Sequence, residues 1–589
     1  MVVADVRVSE ILDRIVITPR DLSQINELNS FLRRALPGVR LHLSAEGVWV
    51  AAHEAYSLLQ TIPSVDLRWD AEARLFAENR NRVRESRPAL IASVRGLIEG
   101  GARAAIQNLK GIRGLEPLDE HQIVNVASMT LPESYGLCIF DEQGAGKTVT
   151  FIFAFDVLVE RDYSDFALIV APKSMVGEWP QDFKRFKGDL YRVQTVTGTR
   201  QEKGISMSSG ADVLVTNFET AVTMEDELRA LLRGFQGRAT LVIDESFFIK
   251  NLNAKRTQAL RRLREWCGRT FVLCGTPAPN SPHDLVQQFN IVDFGLTFSG
   301  IEVPDDNQEA RSIVQRAIEG GGPYIRHLKR DVLPNLPAKR FNRILVSFQP
   351  QQERLYLSTL NNLISELSST TEEEFRRNLM SYLAKKIALL QICSNPVSLV
   401  RGYSEVPAKQ LALDELLKEI ILIRDEKVIL WSFFTASIDA LVSRYGSYCP
   451  VRYDGTVNDI AVRREAVRKF QEDDETMLFI ANPAAAGAGL TLHRAHFAIY
   501  ESMSNQAAHY LQSLDRIHRR GQTKDVEYLV LLSERSIEVE EYERLIAKER
   551  TAQELLGDQV IEPVTRELML SDLLKAKELF VRSPLDDEA

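Results

Sequence analysis

The sequence predicts an α/β chain of two tandem parallel-sheet units, with a helical insert between them and a small mixed region in front. Three observations carry that reading. From about 115 to 330, short apolar runs (YGLCIF, FALIVAP, DVLVTN, ATLVIDE, TFVLCGT) alternate with helical patterns, as in a parallel sheet covered on both faces. The alternation then gives way to helical QQERLYLSTLNNLISEL and RRNLMSYLAKKIALLQI, and restarts as KVILWSFF, YCPVRYDG, TMLFIANP, FAIYE and VEYLVLL. Finally, 589 residues are too many for one core, while 45% hydrophobic and 26% charged residues describe a globular chain.

Taken in order, residues 1–105 read as an accessory α+β domain, joining β-like VRLHLSAEGVWVAA to helical AEARLFAENRNRVRES. Residues 106–335 form the first unit, 336–405 the helical insert, 406–545 the second unit, and 546–589 an acidic helical tail ending in SPLDDEA. No run of about 18 apolar residues indicates a membrane span, and the start MVVADVRVSEILDR lacks a signal peptide's apolar core. Cys138, Cys267, Cys274, Cys393 and Cys449 show no CxxC spacing. They are expected to be buried free thiols, without zinc or a disulfide framework, which fits a reducing, cytoplasmic setting.

The formal net charge of −9 is adverse for a partner rich in phosphate. Its distribution matters more than its sum. Residues 551–589 hold nine acids against four bases, whereas YIRHLKRDVLPNLPAKRFNR, residues 324–343, holds six bases and one acid. A basic groove is therefore compatible with the composition.

Gly144-Ala145-Gly146-Lys147-Thr148 follows the apolar run LCIF and opens the helical pattern TVTFIFAFDVLVE. A strand–loop–helix of this kind cradles phosphate. Glycines let backbone N–H groups turn inward, the helix N-terminus favours anions, Lys147 adds a point charge, and Thr148 offers its hydroxyl to Mg²⁺. The strict GxxxxGK[ST] pattern would need Gly where the chain has Asp141. About a hundred residues on, Leu241-Val242-Ile243-Asp244-Glu245 is an apolar strand ending in two carboxylates. The carboxyl ends of parallel strands are where ligands bind. Asp244 is suited to hold Mg²⁺ and Glu245 to orient and deprotonate an attacking water.

These motifs resemble those of the SWI/SNF-like ATPases of helicase superfamily two. Asp141 to Thr148 is similar to that family's Asp-Glu-Met-Gly-Leu-Gly-Lys-Thr, so Asp141 is a family feature. In chain order, Ala171-Pro172-Lys173-Ser174 with Glu178-Trp179 and Phe183 resembles motif Ia, and Asp244 to Asn251 the Asp-Glu-Ala-His box. Gly275-Thr276-Pro277 with Asn280-Ser281 resembles motif III, and Lys329 to Leu333 with Leu336-Pro337 the segment leaving lobe one. Leu390 to Cys393 with Asn395-Pro396 resembles a helical family element, Lys427 to Thr435 motif IV, Ala485 to Leu492 motif V, and Gln512 to Gln522 (QSLDRIHRRGQ) motif VI. The resemblance covers about 115 to 545.

The resemblance implies two tandem RecA-like lobes that use ATP and Mg²⁺. It puts Gln122, 25 residues before Lys147, in the place of the adenine-reading glutamine. It puts Arg516 and Arg519 in the places of the motif VI arginines that reach from lobe two to the γ-phosphate. It makes double-stranded DNA the expected partner, gripped through phosphates by Ia, Ic (Thr216 to Thr220), III, IV and V, with translocation that leaves the strands paired. A strand-separating or RNA helicase, and an ATP-gated scaffold docking a protein through residues 1–105 or the acidic tail, are the rival readings. Phe247 replaces the usual His of the second box, and Ala486, Ala488 and Thr491 replace common motif V residues. Ser502-Met503-Ser504-Asn505 keeps Asn505 but lacks the family's Trp and Pro. The lack of appended chromatin-reading segments suggests a prokaryotic or phage protein.

Overall fold

The computed structural model describes residues 2–581 except 250, 276–281, 305, 334–335, 458, 486–489, 491, 504–506 and 553–564. The chain divides into two compact units, one running through Val332 and the other from Leu333.

The first unit contains two sheets. The small one has strands β1 (Val2–Val8), β2 (Arg14–Pro19), β3 (Leu41–Leu43), β4 (Val48–Ala51) and β5 (Val65–Trp69), in the order β3-β4-β2-β1-β5. Only β1 and β5 pair in parallel. Alternation puts Val2, Ala4, Val6, Ile15, Ile17, Val48 and Val50 on one buried face, against Leu28 and Leu32 of the helix Ile25–Ala35.

The helical segment Ala71–Asn108, kinked at Gly101 (φ 58°, ψ −156°), leaves that sheet and joins it to the larger one. Its first turns give Ala73, Phe76 and Ala77 to the small core, while Leu90, Val94, Leu97 and Ala105 enter the core of the larger sheet. Buried charge fastens the joint. Arg80 makes a two-pronged ion pair with Glu265 (2.8 and 3.0 Å), and Asn79 donates to the Glu265 carbonyl at 2.8 Å. A domain boundary at 105 falls inside this helix, three residues before its end. The reason is physical: the helix is amphipathic toward two cores in succession.

The larger sheet comprises β6 (Gly136–Ile139), β7 (Phe166–Ala171), β8 (Val193–Thr195), β9 (Val213–Asn217), β10 (Ala239–Asp244), β11 (Arg269–Leu273) and β12 (Tyr324–Ile325). Its order is β12-β6-β11-β10-β7-β9-β8, and all its pairs are parallel. The carboxyl ends of β6, β11 and β10 therefore lie side by side, and the segments that follow them form the site.

The second unit holds β13 (Lys339–Val346), β14 (Val428–Trp431), β15 (Val451–Tyr453), β16 (Leu478–Ala481), β17 (Phe497–Tyr500) and β18 (Val526–Ser533). They form a parallel sheet in the order β13-β18-β17-β14-β16-β15. The expected helical insert thus begins with an edge strand. Beyond β13, the helices Pro350–Ser369 and Leu379–Ser394 pack Tyr356, Leu360, Leu389 and Ile392 against Met569, Leu573 and Ala576 of the helix Arg566–Val581. Four of the five cysteines are buried, and Cys449 is exposed.

Candidate active site

β6 feeds a loop that turns into the helix Lys147–Glu160. Gly144 and Gly146 take left-handed backbone (φ 86° and 85°), which a side chain rarely adopts. At Gly146 a Cβ would also lie 2.2 Å from Gln122 Nε2. Ala145 is buried between them, and Thr148 is half-buried in the first helical turn. The Lys147 ammonium is itself buried and donates to the carbonyls of Asp141 (2.9 Å) and Glu142 (3.3 Å).

Asp141, where the strict motif asks for Gly, is fully buried and ties the loop to its surroundings. It accepts from Asn125 Nδ2 at 2.6 Å and from the His327 backbone N–H and Nδ1, both at 2.9 Å. Glu142 accepts from the Lys329 N–H at 2.6 Å. The carboxylates of this loop are thus structural clamps onto the helix Glu120–Met129 and the segment after β12. Gln122 completes the capping box of that helix by accepting from the Asp119 N–H at 2.8 Å. Its amide reaches the carbonyls of Ala145 and Gly146 at 3.4 and 3.3 Å, and His121 Nε2 donates to the same Ala145 carbonyl at 2.9 Å. Gln122 therefore sits against the phosphate loop through its own side chain.

Asp244 ends β10 and is buried. Burial and then the neighbouring Glu245 push its carboxyl up to about 7, opposed by the Lys147 ammonium and the Trp179 indole. Trp179 Nε1 donates to Asp244 Oδ2 at 3.2 Å from a fully buried position. Trp179 of motif Ia thus contacts the acidic box directly. Glu245 is held at φ 52°, a left-handed conformation that costs on the order of 1–3 kcal/mol in a residue with a side chain. Its Oε1 accepts from Gln143 Nε2 at 3.0 Å, and its Oε2 is buried without a hydrogen-bond partner. The first unit so gathers Gln122, Lys147, Asp244 and Glu245 about one loop, as the sequence anticipates. Nothing in the sequence marks Gln143, Asn125, His121 and His327 as partners of this site, because lone polar residues at these spacings carry no signal.

Arg516 and Arg519 lie in the second unit, just after the helix Ala507–Leu514. Both point to motif V: Arg516 and Arg519 donate to the Leu490 carbonyl at 3.3 and 2.9 Å. Arg516 is buried and also donates to the Gln512 carbonyl at 2.8 Å, so QxxxRxxR closes on itself. Gln522 donates to the carbonyls of His493 and Ala495, which fixes the far side of the same loop. Lys250, Thr276, Pro277, Asn280 and Ser281, motif V residues Ala486, Ala488 and Thr491, Ser504, Asn505 and the terminal SPLDDEA lie outside the described residues, as does the Phe247 side chain.

A phosphate loop at the end of one parallel strand and an Asp-Glu pair at the end of a near neighbour define a nucleotide-hydrolase core of the P-loop class. The chain matches the SNF2-related domain over residues 120–398 and the helicase conserved C-terminal domain over 409–521. It belongs to the SNF2-related family of SWI/SNF-like ATPases. It is 28% identical to an ISWI chromatin-remodeling complex ATPase of Arabidopsis thaliana, CHR11, over 69% of this chain and 40% of that protein. It is 27% identical to a putative ATP-dependent helicase/translocase of Bacillus subtilis, YwqA, over 73% of this chain and 47% of that protein. The chain thus spans less than half the length of these relatives. Among solved structures, the SWI2/SNF2 ATPase core of Sulfolobus solfataricus in complex with dsDNA is 21% identical at a TM-score of 0.35, covering 79% of this chain and 97% of that one.

Proposed function

We propose that the chain is an ATP-driven motor that hydrolyses ATP at the Lys147–Asp244–Glu245 site and translocates along double-stranded DNA. The observation that carries the hydrolytic part is a buried carboxylate pair, one member strained and one with an elevated pKa, under the charge of the phosphate-loop lysine. In this reading Lys147 exchanges its two loop carbonyls for phosphate oxygens, and the amides of Gly144, Ala145, Gly146 and Thr148 cradle them. Glu245 takes a proton from the attacking water. Gln122 recognises the adenine. The motif VI arginines Arg516 and Arg519 are assigned, by the family resemblance alone, to supply positive charge as the phosphoryl group transfers.

Mg²⁺ fits the donor set. Asp244 and the Thr148 hydroxyl are hard oxygen donors, and two buried carboxylates facing one ammonium leave negative charge for a cation to offset. Asp244 and Thr148 would hold it, and it would neutralise charge on the phosphates.

Duplex DNA as the track is supported by family membership and by relatives named as chromatin-remodelling and helicase/translocase ATPases. ATP turnover measured without nucleic acid and with single strands, duplex or RNA tests the proposal. Duplex DNA should stimulate most. Stimulation by RNA alone, or turnover indifferent to every nucleic acid, would overturn it.

A further inference from the structure

Gln143 occupies the loop position where the family commonly carries Met. Its carboxamide lies against Gly275, the residue after β11 and Cys274. A Cβ there would come within 2.5 Å of Gln143 Oε1 and 2.9 Å of its backbone nitrogen. Gln143 Nε2 donates to Glu245 Oε1 at 3.0 Å. The other atom of each group, Gln143 Oε1 and Glu245 Oε2, is a buried acceptor with no hydrogen-bond partner. Two unsatisfied acceptors on one hydrogen-bonded pair are costly unless something donates to both. Water is the small molecule that has two donors and keeps a lone pair free.

We propose that Gln143 is a water-orienting residue of the hydrolytic step. Its N–H fixes Glu245, and its carbonyl oxygen and Glu245 Oε2 together receive the two hydrogens of the attacking water. The water oxygen then bonds to the γ-phosphorus, and the bond from that phosphorus to the β–γ bridging oxygen breaks, releasing ADP. Glu245 Oε2 takes one proton and later loses it to solvent, and the other remains on the new phosphate. The inference rests on Glu245 being the base.

Full-length Gln143→Met, Gln143→Glu and Glu245→Gln variants test it, each with saturating duplex DNA. The readouts are kcat, KM for ATP, affinity for a non-hydrolysable ATP analogue, and affinity for ADP with aluminium fluoride. The last complex includes the in-line water. Gln143→Met should lower kcat about tenfold or more and weaken the aluminium fluoride complex by a similar factor, with analogue affinity unchanged. Gln143→Glu preserves the volume but sets two carboxylates together, and should be slow in the same way. Wild-type kcat in Gln143→Met beside an inactive Glu245→Gln would overturn the role of Gln143 alone. An equal loss of analogue affinity would make Gln143 a loop-shaping residue instead. Near-normal turnover in Glu245→Gln would overturn the base assignment itself.

Discussion

In the proposed mechanism Lys147 serves binding and Glu245 serves chemistry. Lys147 is the close side-chain cation of the loop, so Lys147→Ala should weaken or abolish ATP use, read as a loss of nucleotide affinity. Glu245→Gln keeps shape and the Gln143 contact surface but removes the proposed proton acceptor. It should bind ATP nearly normally and fall by about 100-fold or more in turnover, as single-turnover kinetics would show. Arg519 differs from both. In the proposed mechanism its charge matters most in the transition state, so Arg519→Ala should lower kcat far more than affinity. A change confined to affinity would place Arg519 outside the reacting site. The legible residues were those whose chemistry comes with a spacing: GxGKT, the strand-terminal Asp-Glu, and QxxxRxxR. Asp141 was legible only as a family feature, and its physical reason is a three-way buried clamp joining Asn125 and His327 from segments far apart in sequence.

Among the elements, the fully buried strands were readable because both faces are apolar. β7, β9, β10 and β11 are buried at every position. β13 was not, since KRFNRILV is mostly exposed and its pairing with β18 spans nearly two hundred residues of sequence. The helical pattern legible in AEARLFAENRNRVRES covers only residues 71–86 of the segment Ala71–Asn108, and amphipathicity does not say which core a face meets. The segment's two allegiances give a prediction. Removing residues 1–69 should leave a soluble protein with ATPase activity, whereas removing 1–105 strips Leu90, Val94 and Leu97 from the larger core and should abolish folding, at about 2–5 kcal/mol for each lost side chain. Circular dichroism and turnover of the two truncations check this. Arg80→Leu tests the joint alone. It leaves Glu265 buried and unpaired, which costs about 3–5 kcal/mol, and should lower the thermal unfolding midpoint by several degrees without changing the KM for ATP.

For the whole molecule, a net charge of −9 is compatible with the proposed phosphate-binding track because charge is unevenly distributed, with acids concentrated after residue 550. Binding through backbone phosphates should weaken steeply as salt rises and be indifferent to sequence. The proposed motor moves along duplex DNA as it hydrolyses ATP. Displacement of a third strand from a triplex, run beside a forked duplex under the same conditions, tests it most directly. A duplex translocase should give ATP-dependent loss of the third strand, abolished in Glu245→Gln, with the fork left intact. An unwound fork, or a third strand that stays in place while ATP is consumed, would contradict it.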